Sequence, residues 1–311
     1  MNLKTLPNLK ENVPLSRYTT FRLGGPARYF IEAKRREDLV AALDWARQEK
    51  QRYVLIGGGS NVLFLDSGFD GLVIKNSASK IKITGTQLAV DSGTILHTVV
   101  TAACQNHLAG LEGLSWIPGS VGGAIYGNAG AYGQDIGRMV ESVDAYDVVG
   151  RQKISLPAAE CGFAYRHSVF KEKTNLVILG AVLRLAAGPT AALSAQCEKI
   201  KQERQNKFPL APSAGCVFQN IPVSAAANNQ RLQPFLAKVK GDKIAAGLLI
   251  DQADLKGAKI GGAQVSPLHA NFIVNSGKAT ADDVIKLISL IKAKVRDMFG
   301  VNLECEVQII K

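Results

Sequence analysis

Six glycines fall within the 17-residue stretch IPGSVGGAIYGNAGAYG at 117–133, and small residues fill most of the gaps between them. A backbone this bare loses much conformational entropy when it folds, so the folded state must recover that free energy from a partner. Bare backbone also lets another molecule approach to van der Waals distance. The stretch therefore predicts a loop that wraps a flat or extended ligand.

A second glycine loop, IGGGSN at 56–61, follows the apolar run YVLI. Consecutive glycines allow backbone N–H groups to converge on an anion, and Ser60 and Asn61 add side-chain donors. The loop is not a P-loop, because no Gly-Lys-Ser/Thr follows, and its spacing does not fit the Rossmann fingerprint. Taken alone, it is equally typical of a tight turn. Two such loops in one domain suit a dinucleotide, with one loop holding the pyrophosphate.

The hydrophobic pattern predicts both helices and strands. Helical spacing occurs at 37–50 and 94–107, and strand-like apolar runs occur at 71–75, 143–149 and 176–185. Gly188-Pro189 then opens a polar helical segment, and a second unit with a different pattern follows it. The chain is therefore expected to contain more than one domain.

The end of the chain has the clearest local signals. A helix is predicted after Thr280, a typical N-cap with Asp283 at the third helical position, and it should end at Gly300. Beyond it, residues alternate by period two, which predicts a strand with Glu304 and Glu306 on its polar face. On pattern alone, these acids are most simply solvated.

Several classes of protein are disfavoured by what the sequence lacks. No segment has the length and apolar character of a signal peptide or a membrane span, which favours a soluble, cytoplasmic protein with no membrane partner. The five cysteines are odd in number and scattered, which argues against a disulfide framework and a zinc knuckle. The four histidines lack metal-ligand spacing, so no metal is expected.

The formal net charge of +11 favours an acidic partner. Nucleic acid is the less favoured partner, because the chain has no Lys/Arg-rich block and no aromatic RNA-binding motif. Residues 191–260 contain ten Lys or Arg and five Asp or Glu. This local excess of positive charge suits a small anionic substrate or a phosphorylated cofactor, and equally a solvated basic face.

Seven motifs occur in one order along nearly the whole chain, from about residue 12 to residue 310: TTFRLGGPA, GGGSNV, IPGSVGGAIYGNAGAYG, YRHSVFK, SAGCVFQN, GAKIGGAQVSPLHANFIVN and LECEV. Each motif alone is weak, but the ordered set is highly specific. The chain closely resembles the UDP-N-acetylenolpyruvoylglucosamine reductase family of peptidoglycan synthesis. It resembles the shorter subtype, because it lacks an extended tyrosine-bearing insertion between the flavin and substrate regions.

The resemblance implies a fold. It predicts an FAD-binding domain of the vanillyl-alcohol-oxidase/PCMH type, made of two α+β lobes, and a smaller α+β substrate-binding domain. The chain would then divide into an FAD-binding region at 1–188 with lobes of about 1–75 and 76–188, a linker helix at 189–206, a substrate-binding domain at 207–300 and a C-terminal strand at 301–311. That strand would return Glu306 to the FAD-binding region.

The resemblance also implies a reaction. Family members are UDP-N-acetylmuramate dehydrogenases that bind FAD non-covalently. NADPH reduces the flavin and leaves, and UDP-N-acetylglucosamine-enolpyruvate then occupies the same cleft. Hydride passes from flavin N5 to C3 of the enolpyruvyl group, a protein acid protonates C2, and the product is UDP-N-acetylmuramate. A cytoplasmic monomer that serves cell-wall biogenesis, cell shape and cell division is expected with it.

Two catalytic positions of the family are matched by a charged residue. Arg166, in YRHSVFK, would hold and polarise the substrate carboxylate, since its guanidinium is bidentate and always charged. Glu306 matches a terminal glutamate that would donate a proton to the developing enolate if it were protonated. Glu304 is its rival. Cys305 stands between them where the family has proline.

The third catalytic position is Cys216, in PSAGCVFQN. On residues alone it is most simply a small buried hydrophobe. The family has a serine there that protonates C2, so the resemblance makes this cysteine the expected proton donor. A thiol is a stronger acid than an alcohol and is still mostly protonated at neutral pH. A nearby arginine would favour the thiolate, which cannot donate a proton and is easily oxidised.

The resemblance carries over two sets of binding positions. The expected cofactor-binding residues are Gly57, Gly58, Gly59, Ser60, Asn61, Pro118, Gly119, Ser120, Gly122, Gly123, Asn128, Ala129 and Gly130. The expected substrate-binding residues are Tyr165, Lys207, Asn220 and His269. Trp116 and His167 depart from the residues that are usual in the family, and Trp116 would reshape the flavin rim.

Two other functions stay open. One is another FAD-dependent oxidoreductase of the same fold with a different substrate. Its covalent-flavin version is disfavoured, because 116–133 contains no histidine to anchor the flavin. The other is a non-catalytic nucleotide-binding protein with a decayed site, which the presence of Arg166 and Glu306 disfavours.

Overall fold

The computed structural model describes residues 6–226, 229–239 and 241–311. By their backbone contacts these residues group into two compact units. Unit 1 takes the described part of Met1–Val13 with Ala27–Gly58 and Asp70–Asn206, and unit 2 takes Pro14–Pro26, Gly59–Phe69 and the described part of Lys207–Lys311. Both units are discontinuous along the chain. The continuous domain boundaries expected from the sequence, and the roles assigned to them, stay a prediction.

The described residues form six α-helices: α1 (Arg36–Gln48), α2 (Leu96–Gln105), α3 (Val121–Tyr126), α4 (Thr190–Lys207), α5 (Ala246–Gln252) and α6 (Ala281–Phe299). Their strands are β1 (Lys10–Pro14), β2 (Pro26–Ala33), β3 (Tyr53–Ile56), β4 (Val62–Phe64), β5 (Phe69–Asn76), β6 (Ile81–Thr84), β7 (Gln87–Asp91), β8 (Leu108–Ala109), β9 (Gly130–Ala131), β10 (Gln134–Asp135), β11 (Val140–Asp147), β12 (Gln152–Pro157), β13 (Leu176–Arg184), β14 (Ala186–Ala187), β15 (Ser213–Cys216), β16 (Ile221–Pro222), β17 (Lys243–Ile244), β18 (Lys259–Ile260), β19 (Ala263–Val265), β20 (Phe272–Asn275) and β21 (Gln308–Ile310). Helix and strand are mixed throughout, as an α+β fold requires.

Unit 1 contains two larger sheets, besides the two-stranded pairs β9-β10 and β8-β14. A four-stranded sheet has the order β1-β2-β5-β3, with β3 parallel to β5. A five-stranded antiparallel sheet has the order β12-β11-β13-β7-β6. Helix α1 lies in an apolar core shared by both sheets, with Leu72 from the first and Tyr146 and Leu179 from the second, whereas α2 and α3 pack on the five-stranded sheet. The shorter glycine loop leaves the end of β3, so the first sheet fixes where that loop begins.

Unit 2 is built on a four-stranded antiparallel sheet with the order β15-β20-β19-β18. Helix α6 buries an apolar stripe against it, including Val284, Leu287, Ile291 and Val295. These residues recur at helical spacing, so the burial of one face follows from the sequence pattern.

The ends of α6 were predicted correctly. Thr280 and Asp283 form a capping box, and Gly300 ends the helix at φ +68°. Asp66 adds a contact that the local pattern does not contain, because its carboxylate accepts the Ala281 N–H at 2.9 Å. An acidic side chain at a helix N-terminus satisfies an otherwise unpaired donor and offsets the helix dipole.

Two local predictions were wrong. The glycine-rich stretch contains a helix, α3, that its composition did not indicate. The predicted terminal strand is regular only over β21, which pairs in parallel with β4. The buried alternation of Val301, Leu303 and Val307 is still present. The strand is interrupted because residues 304–307 bond to the segment after β15 instead of continuing one ladder. Across the described ranges, no helix combines the length and apolar character needed to cross a membrane.

Candidate active site

The two glycine loops pack backbone against backbone within unit 1. A Cβ on Gly57 would lie 2.0 Å from Ser120 Oγ, and a Cβ on Gly58 would lie 2.8 Å from Gly119 Cα. Both distances are well below van der Waals contact, so a side chain at either position would displace the facing loop. Loop packing by itself therefore explains why these two positions are glycine.

Ser120 starts helix α3, where its Oγ accepts the Gly123 N–H at 3.3 Å. Gly122 packs closely, since a Cβ there would lie 2.9 Å from Ser92 Cβ. Gly119 has φ +127°, a conformation that residues with side chains rarely adopt. Gly123 differs from these neighbours: it is exposed, and a Cβ there would come no nearer than 3.7 Å to Ser120 Oγ. Its face of the helix is open to an approaching molecule.

The polar groups around these loops fit an anionic cofactor. Within the described chain, the backbone N–H groups of Gly58, Gly119 and Ser120 donate to no backbone carbonyl. The buried hydroxyls of Thr94 and Ser115 also have no hydrogen-bond partner among the residues described. Buried polar atoms normally have a partner, and converging N–H groups bind phosphate. This donor set is consistent with the diphosphate of the expected FAD.

The shorter loop continues into unit 2 at Gly59–Asn61. Gly59 has φ +63°, and a Cβ there would lie 2.0 Å from Tyr18 O. The Asn61 side chain holds the C-terminal segment, because its Nδ2 donates to the backbone carbonyl of Glu306 at 3.0 Å. The amide that was expected to bind the cofactor therefore already has a partner in the protein.

Asn128 has a comparable structural contact in unit 1. It is buried, its Nδ2 donates to Ala164 O at 2.9 Å, and its Oδ1 accepts the Gly137 N–H at 3.0 Å. Gly130 is tightly packed as well, since a Cβ there would lie 2.8 Å from Gln134 O. These contacts hold the end of the glycine stretch to the loop that leads to Arg166.

Arg166 has a left-handed backbone conformation, φ +54°. Such conformations are uncommon away from glycine and concentrate at functional sites. The Nη1 atom donates to Gly130 O at 3.3 Å, and the guanidinium lies 5.2 Å from the centre of the Tyr165 ring. Lys171 Nζ donates to the Arg166 carbonyl at 2.7 Å. Both the backbone and the guanidinium of Arg166 are therefore held by neighbours.

Cys216 ends β15 after a β-bulge. Ser213 pairs with Val274 and Cys216 with Phe272, so the register shifts between the two pairs. Gly215 lies in the bulge at φ +76°, and a Cβ there would meet nothing within 4 Å, so backbone conformation is what favours glycine. Because a bulge redirects the side chains beside it, it sets the direction of the partly buried thiol of Cys216.

Glu306 lies on the segment that pairs with the residues after Cys216. The Glu306 N–H donates to Val217 O at 2.8 Å, and the Gln219 N–H donates to Glu304 O at 2.9 Å. Cys216 and Glu306 therefore occupy neighbouring backbone positions within unit 2. Glu306 is partly buried and Glu304 is exposed. Glu306, the acid that the family resemblance favours, is therefore the less exposed of the two.

Asn220 and Lys207, two of the expected substrate-binding residues, differ in their surroundings. Asn220 Oδ1 accepts the Ala246 N–H at 3.2 Å, at the start of α5. Its carbonyl oxygen therefore supports the fold. Lys207 is the last residue of α4 and is exposed, so its side chain is accessible to an anion from solution.

His269 is partly buried among aromatic rings. Its ring centre lies 5.4 Å from that of Phe208 and 5.0 Å from that of Phe272, and its Nδ1 accepts the Asn271 N–H at 3.3 Å. Burial lowers the pKa of His269 below its ordinary value of 6.5. The ring is therefore neutral at pH 7, and any contact with a phosphate would be a hydrogen bond without charge.

Comparisons with known proteins match both parts of the chain to one family. Residues 27–153 match an FAD binding domain, and residues 205–310 match the C-terminal domain of UDP-N-acetylenolpyruvoylglucosamine reductase. The reductase of Solibacter usitatus is 35% identical over 100% of both chains, and that of Chlamydia felis is 38% identical over 97% of this chain and 95% of its own.

The chain belongs to the UDP-N-acetylenolpyruvoylglucosamine reductase family. The crystal structure of the Thermus caldophilus reductase of this family superimposes with a TM-score of 0.77 at 31% identity, covering 96% of this chain and 98% of that one. The family, the fold class and the expectation of a flavin-dependent oxidoreductase are confirmed. FAD is supported as the cofactor by the matched domain.

Sequence reasoning missed two contacts, one beside the predicted site residue Arg166 in unit 1 and one beside Cys216 in unit 2. Lys171 holds the Arg166 carbonyl, and Asn271 bonds to the backbone of Phe218, two residues after Cys216. A signal for the second was present in HANFIVN. An asparagine among apolar strand residues is buried, and a buried amide must bond to something nearby.

Trp116, the departure from the family pattern, is held by α4. Arg204 Nε donates to the Trp116 carbonyl at 3.1 Å, and Lys201 Nζ lies 5.2 Å from the indole centre. The residue has φ +59° and is 40% exposed, two residues before Pro118. Its effect on a flavin rim stays a prediction.

Proposed function

We propose that this chain reduces UDP-N-acetylglucosamine-enolpyruvate to UDP-N-acetylmuramate, with NADPH as the hydride source. The relatives are named as reductases of this type. The observation that carries the proposal is the pairing of the Glu306 N–H with Val217 O at 2.8 Å, directly after Cys216. Two side chains that can carry a proton, on adjacent backbones, suit a reaction that delivers a proton to one carbon.

The reaction adds a hydride and a proton across the enolpyruvyl double bond. FAD, when bound and reduced, supplies the hydride to C3. Negative charge then develops toward the substrate carboxylate until C2 is protonated. The protein must therefore provide a fixed cation for the carboxylate and an acid for C2.

Arg166 is the proposed cation. A guanidinium offers two parallel donors to a carboxylate and stays charged at any physiological pH. The contacts of Arg166 with Gly130 and Tyr165 restrict its orientation before substrate binds. A cation fixed in advance stabilises developing charge without reorganisation at the moment of reaction.

Cys216 is the proposed acid. It gives the Sγ proton to C2, and the β-bulge at Gly215 fixes its direction. Glu306 is proposed to donate a hydrogen bond to the developing enolate in its protonated form. Its partial burial, in contrast with the exposed Glu304, supports that choice.

The remaining residues are proposed to hold the cofactor and the uridine diphosphate. Gly58, Gly119 and Ser120 would bind the FAD phosphates through backbone N–H groups, and Gly123 would face the cofactor. For the substrate, Lys207 would contribute positive charge. Tyr165, Asn220 and His269 would contribute neutral contacts.

The decisive experiment is anaerobic absorption spectroscopy of the purified protein. It should be yellow, lose the visible absorbance of oxidised flavin on adding NADPH, and recover it on adding UDP-N-acetylglucosamine-enolpyruvate. The product should be identified as UDP-N-acetylmuramate by mass spectrometry.

Other results would favour other functions. Bleaching by NADPH without recovery by this substrate would favour another flavin-dependent oxidoreductase of the same fold. A colourless protein that takes up no FAD and binds nucleotides would favour a non-catalytic role. The cytoplasmic location and the monomeric state stay predictions, which fractionation and light scattering would test.

A further inference from the structure

Asn271 is buried and makes three hydrogen bonds to one short segment of unit 2. Its side-chain Nδ2 donates to Phe218 O at 2.8 Å, and its Oδ1 accepts the Phe218 N–H at 3.0 Å. Its backbone carbonyl accepts the Val217 N–H at 2.8 Å. Only 3% of the residue is exposed. Because both polar atoms of the side chain are bonded to backbone, Asn271 acts as part of the protein's hydrogen-bond framework.

These bonds lie where the regular strand pairing stops. Cys216 is the last residue of β15 and pairs with Phe272, the first residue of β20. Asn271 directly precedes Phe272. Its side-chain amide accepts the Phe218 N–H and donates to the Phe218 carbonyl, as a backbone peptide group would do if the pairing of β15 with β20 continued. The residues after Cys216 are therefore held in place although the strand has ended.

The same segment carries the contact to Glu306. Val217 donates its N–H to Asn271 and accepts the Glu306 N–H at 2.8 Å with its carbonyl. One peptide segment is thus fixed from two sides. If the bonds from Asn271 were lost, Cys216 would be displaced from the position in which the bulge and the Glu306 segment hold it.

We propose that Asn271 is a positioning residue for the proton transfer from Cys216. The inference rests on the proposed function, in which Cys216 is the acid. Asn271 does not touch the reacting atoms in this role. It keeps the thiol in the geometry from which C2 is protonated, and small displacements of a reacting group reduce rates steeply.

The test uses Asn271→Asp in the FAD-loaded protein. The carboxylate is nearly isosteric with the amide and can accept the Phe218 N–H, but it cannot donate to Phe218 O and repels it. We expect the oxidation of reduced flavin by the enolpyruvyl substrate to slow by roughly 10- to 100-fold. The rate of flavin reduction by NADPH and the affinity for FAD should stay unchanged.

Asn275→Asp, at the end of β20, is the matched control. Asn275 is also a buried asparagine whose amide bonds to backbone, with Nδ2 donating to Phe21 O at 3.2 Å and Oδ1 accepting the Gly277 N–H at 2.9 Å. Among the described residues, its side chain does not bond to 216–219 or to 304–308, and its backbone N–H donates to Pro212 O at 2.8 Å, before β15 begins. We expect this variant to lower thermal stability while both half-reactions keep their rates.

A double-variant cycle tests whether Asn271 acts through the thiol. In a Cys216→Ala background, Asn271→Asp should slow flavin reoxidation by much less than it does in the wild type, because the positioned proton donor is already gone. The solvent deuterium isotope effect on reoxidation should rise in Asn271→Asp alone, since proton transfer becomes more rate-limiting.

Three results would overturn the inference: a normal reoxidation rate in Asn271→Asp, equal slowing in both backgrounds, or equal slowing of both half-reactions. If the aspartate variant does not fold, Asn271→Ser, which is smaller and uncharged, goes through the same measurements. The proposed function fails separately. Normal reoxidation by Cys216→Ala would show that Cys216 is not the proton donor. Slow reoxidation by Cys216→Ala together with normal reoxidation by Asn271→Asp would overturn the positioning role alone.

Discussion

Asn61 and Glu306, 245 residues apart in sequence, are joined by a hydrogen bond of 3.0 Å from the asparagine Nδ2 to the glutamate carbonyl. The Asn61 carbonyl in turn accepts the Gln308 N–H at 3.0 Å. Asn61 therefore holds the C-terminal segment on both sides of Val307. Within unit 2, a residue of the shorter glycine loop fixes the backbone of Glu306, the proposed hydrogen-bond donor to the enolate.

Asn61→Ala should slow flavin reoxidation by the enolpyruvyl substrate and lower the free energy of unfolding by about 1 kcal/mol, because the Glu306 carbonyl loses its donor. Asn61→Asp should be more damaging, since a carboxylate would face that carbonyl. Stopped-flow absorbance and urea unfolding provide the two measurements. Weaker FAD binding with an unchanged reoxidation rate would show instead that Asn61 serves the cofactor.

Cys216→Ala should separate the two half-reactions. Reduction of the flavin by NADPH should be nearly unchanged, whereas reoxidation should slow by about 10²- to 10⁴-fold, the usual contribution of a general acid. Cys216→Ser should retain substantial turnover, because a hydroxyl can occupy the same position and donate a proton. Single-turnover stopped-flow measurements test both variants. Normal reoxidation by the alanine variant would show that the Cys216 side chain contributes to packing and not to proton transfer.

The cysteines should differ in their rates of alkylation. Burial, with help from Cys197, raises the pKa of Cys104 to about 12, and burial raises the pKa of Cys161 to about 11. Few thiolates form at these positions at pH 8, and the thiolate is the reacting form. Timed iodoacetamide labelling with peptide mass spectrometry should therefore modify the partly exposed Cys216 well before either of them. Equal rates in the folded protein would contradict the burial of Cys104 and Cys161.

Gly57→Ala and Gly123→Ala should have opposite effects. The first places a Cβ 2.0 Å from Ser120 Oγ, so it should destabilise the apoprotein by about 1–3 kcal/mol through overpacking and loss of the α3 cap. The second has open space and a helical backbone, so the apoprotein should keep or slightly gain stability.

FAD affinity completes the comparison of these two glycines. If Gly123 faces the cofactor, Gly123→Ala should weaken FAD binding in a stably folded protein. Thermal unfolding of the apoprotein and flavin fluorescence titration give the two quantities. Unchanged FAD affinity in this variant would show that Gly123 does not face the cofactor.

His269 should contribute to acid sensitivity. Burial lowers its folded pKa below 6.5, so between the folded pKa and 6.5 the unfolded state binds more protons than the folded state. The stability associated with the neutral ring is therefore fully present above pH 6.5 and decreases as the pH falls toward the folded pKa. His269→Gln should flatten this decrease in urea midpoints measured from about pH 8 to pH 5. An unchanged slope would contradict the shift.

Local patterns predicted much of the fold because the relevant physics is local. The capping box of Thr280 and Asp283, the apolar stripe of α6 and the stop at Gly300 all depend on residues within a few turns. Helix α3 was missed because a stretch rich in glycine has low helix propensity. Its N-cap at Ser120 and its packing in the apolar core of unit 1 offset that low propensity.

The sequence predicted the residue types of the candidate site but not their contacts. Motif order gave Arg166, Cys216 and Glu306 as the expected catalytic residues. The pairing of Glu306 with Val217, and the bonds of Asn61 and Asn271 to main-chain groups, were not predicted. A side-chain amide can bond to a ligand or to backbone equally well, and sequence alone does not show which acceptor lies within reach.

The sequence by itself determined the family and the two glycine loops, and it led to the proposal of Arg166, Cys216 and Glu306 as reacting side chains, because these depend on motif composition and order. Only the tertiary structure decided that Gly57 and Gly58 are needed for loop packing, that Asn61 and Asn271 fix backbone segments, and that Cys216 and Glu306 lie on paired segments. The physical reason is distance along the chain. Hydrogen bonds and steric contacts between residues far apart in sequence exist only after strands and loops have been brought together.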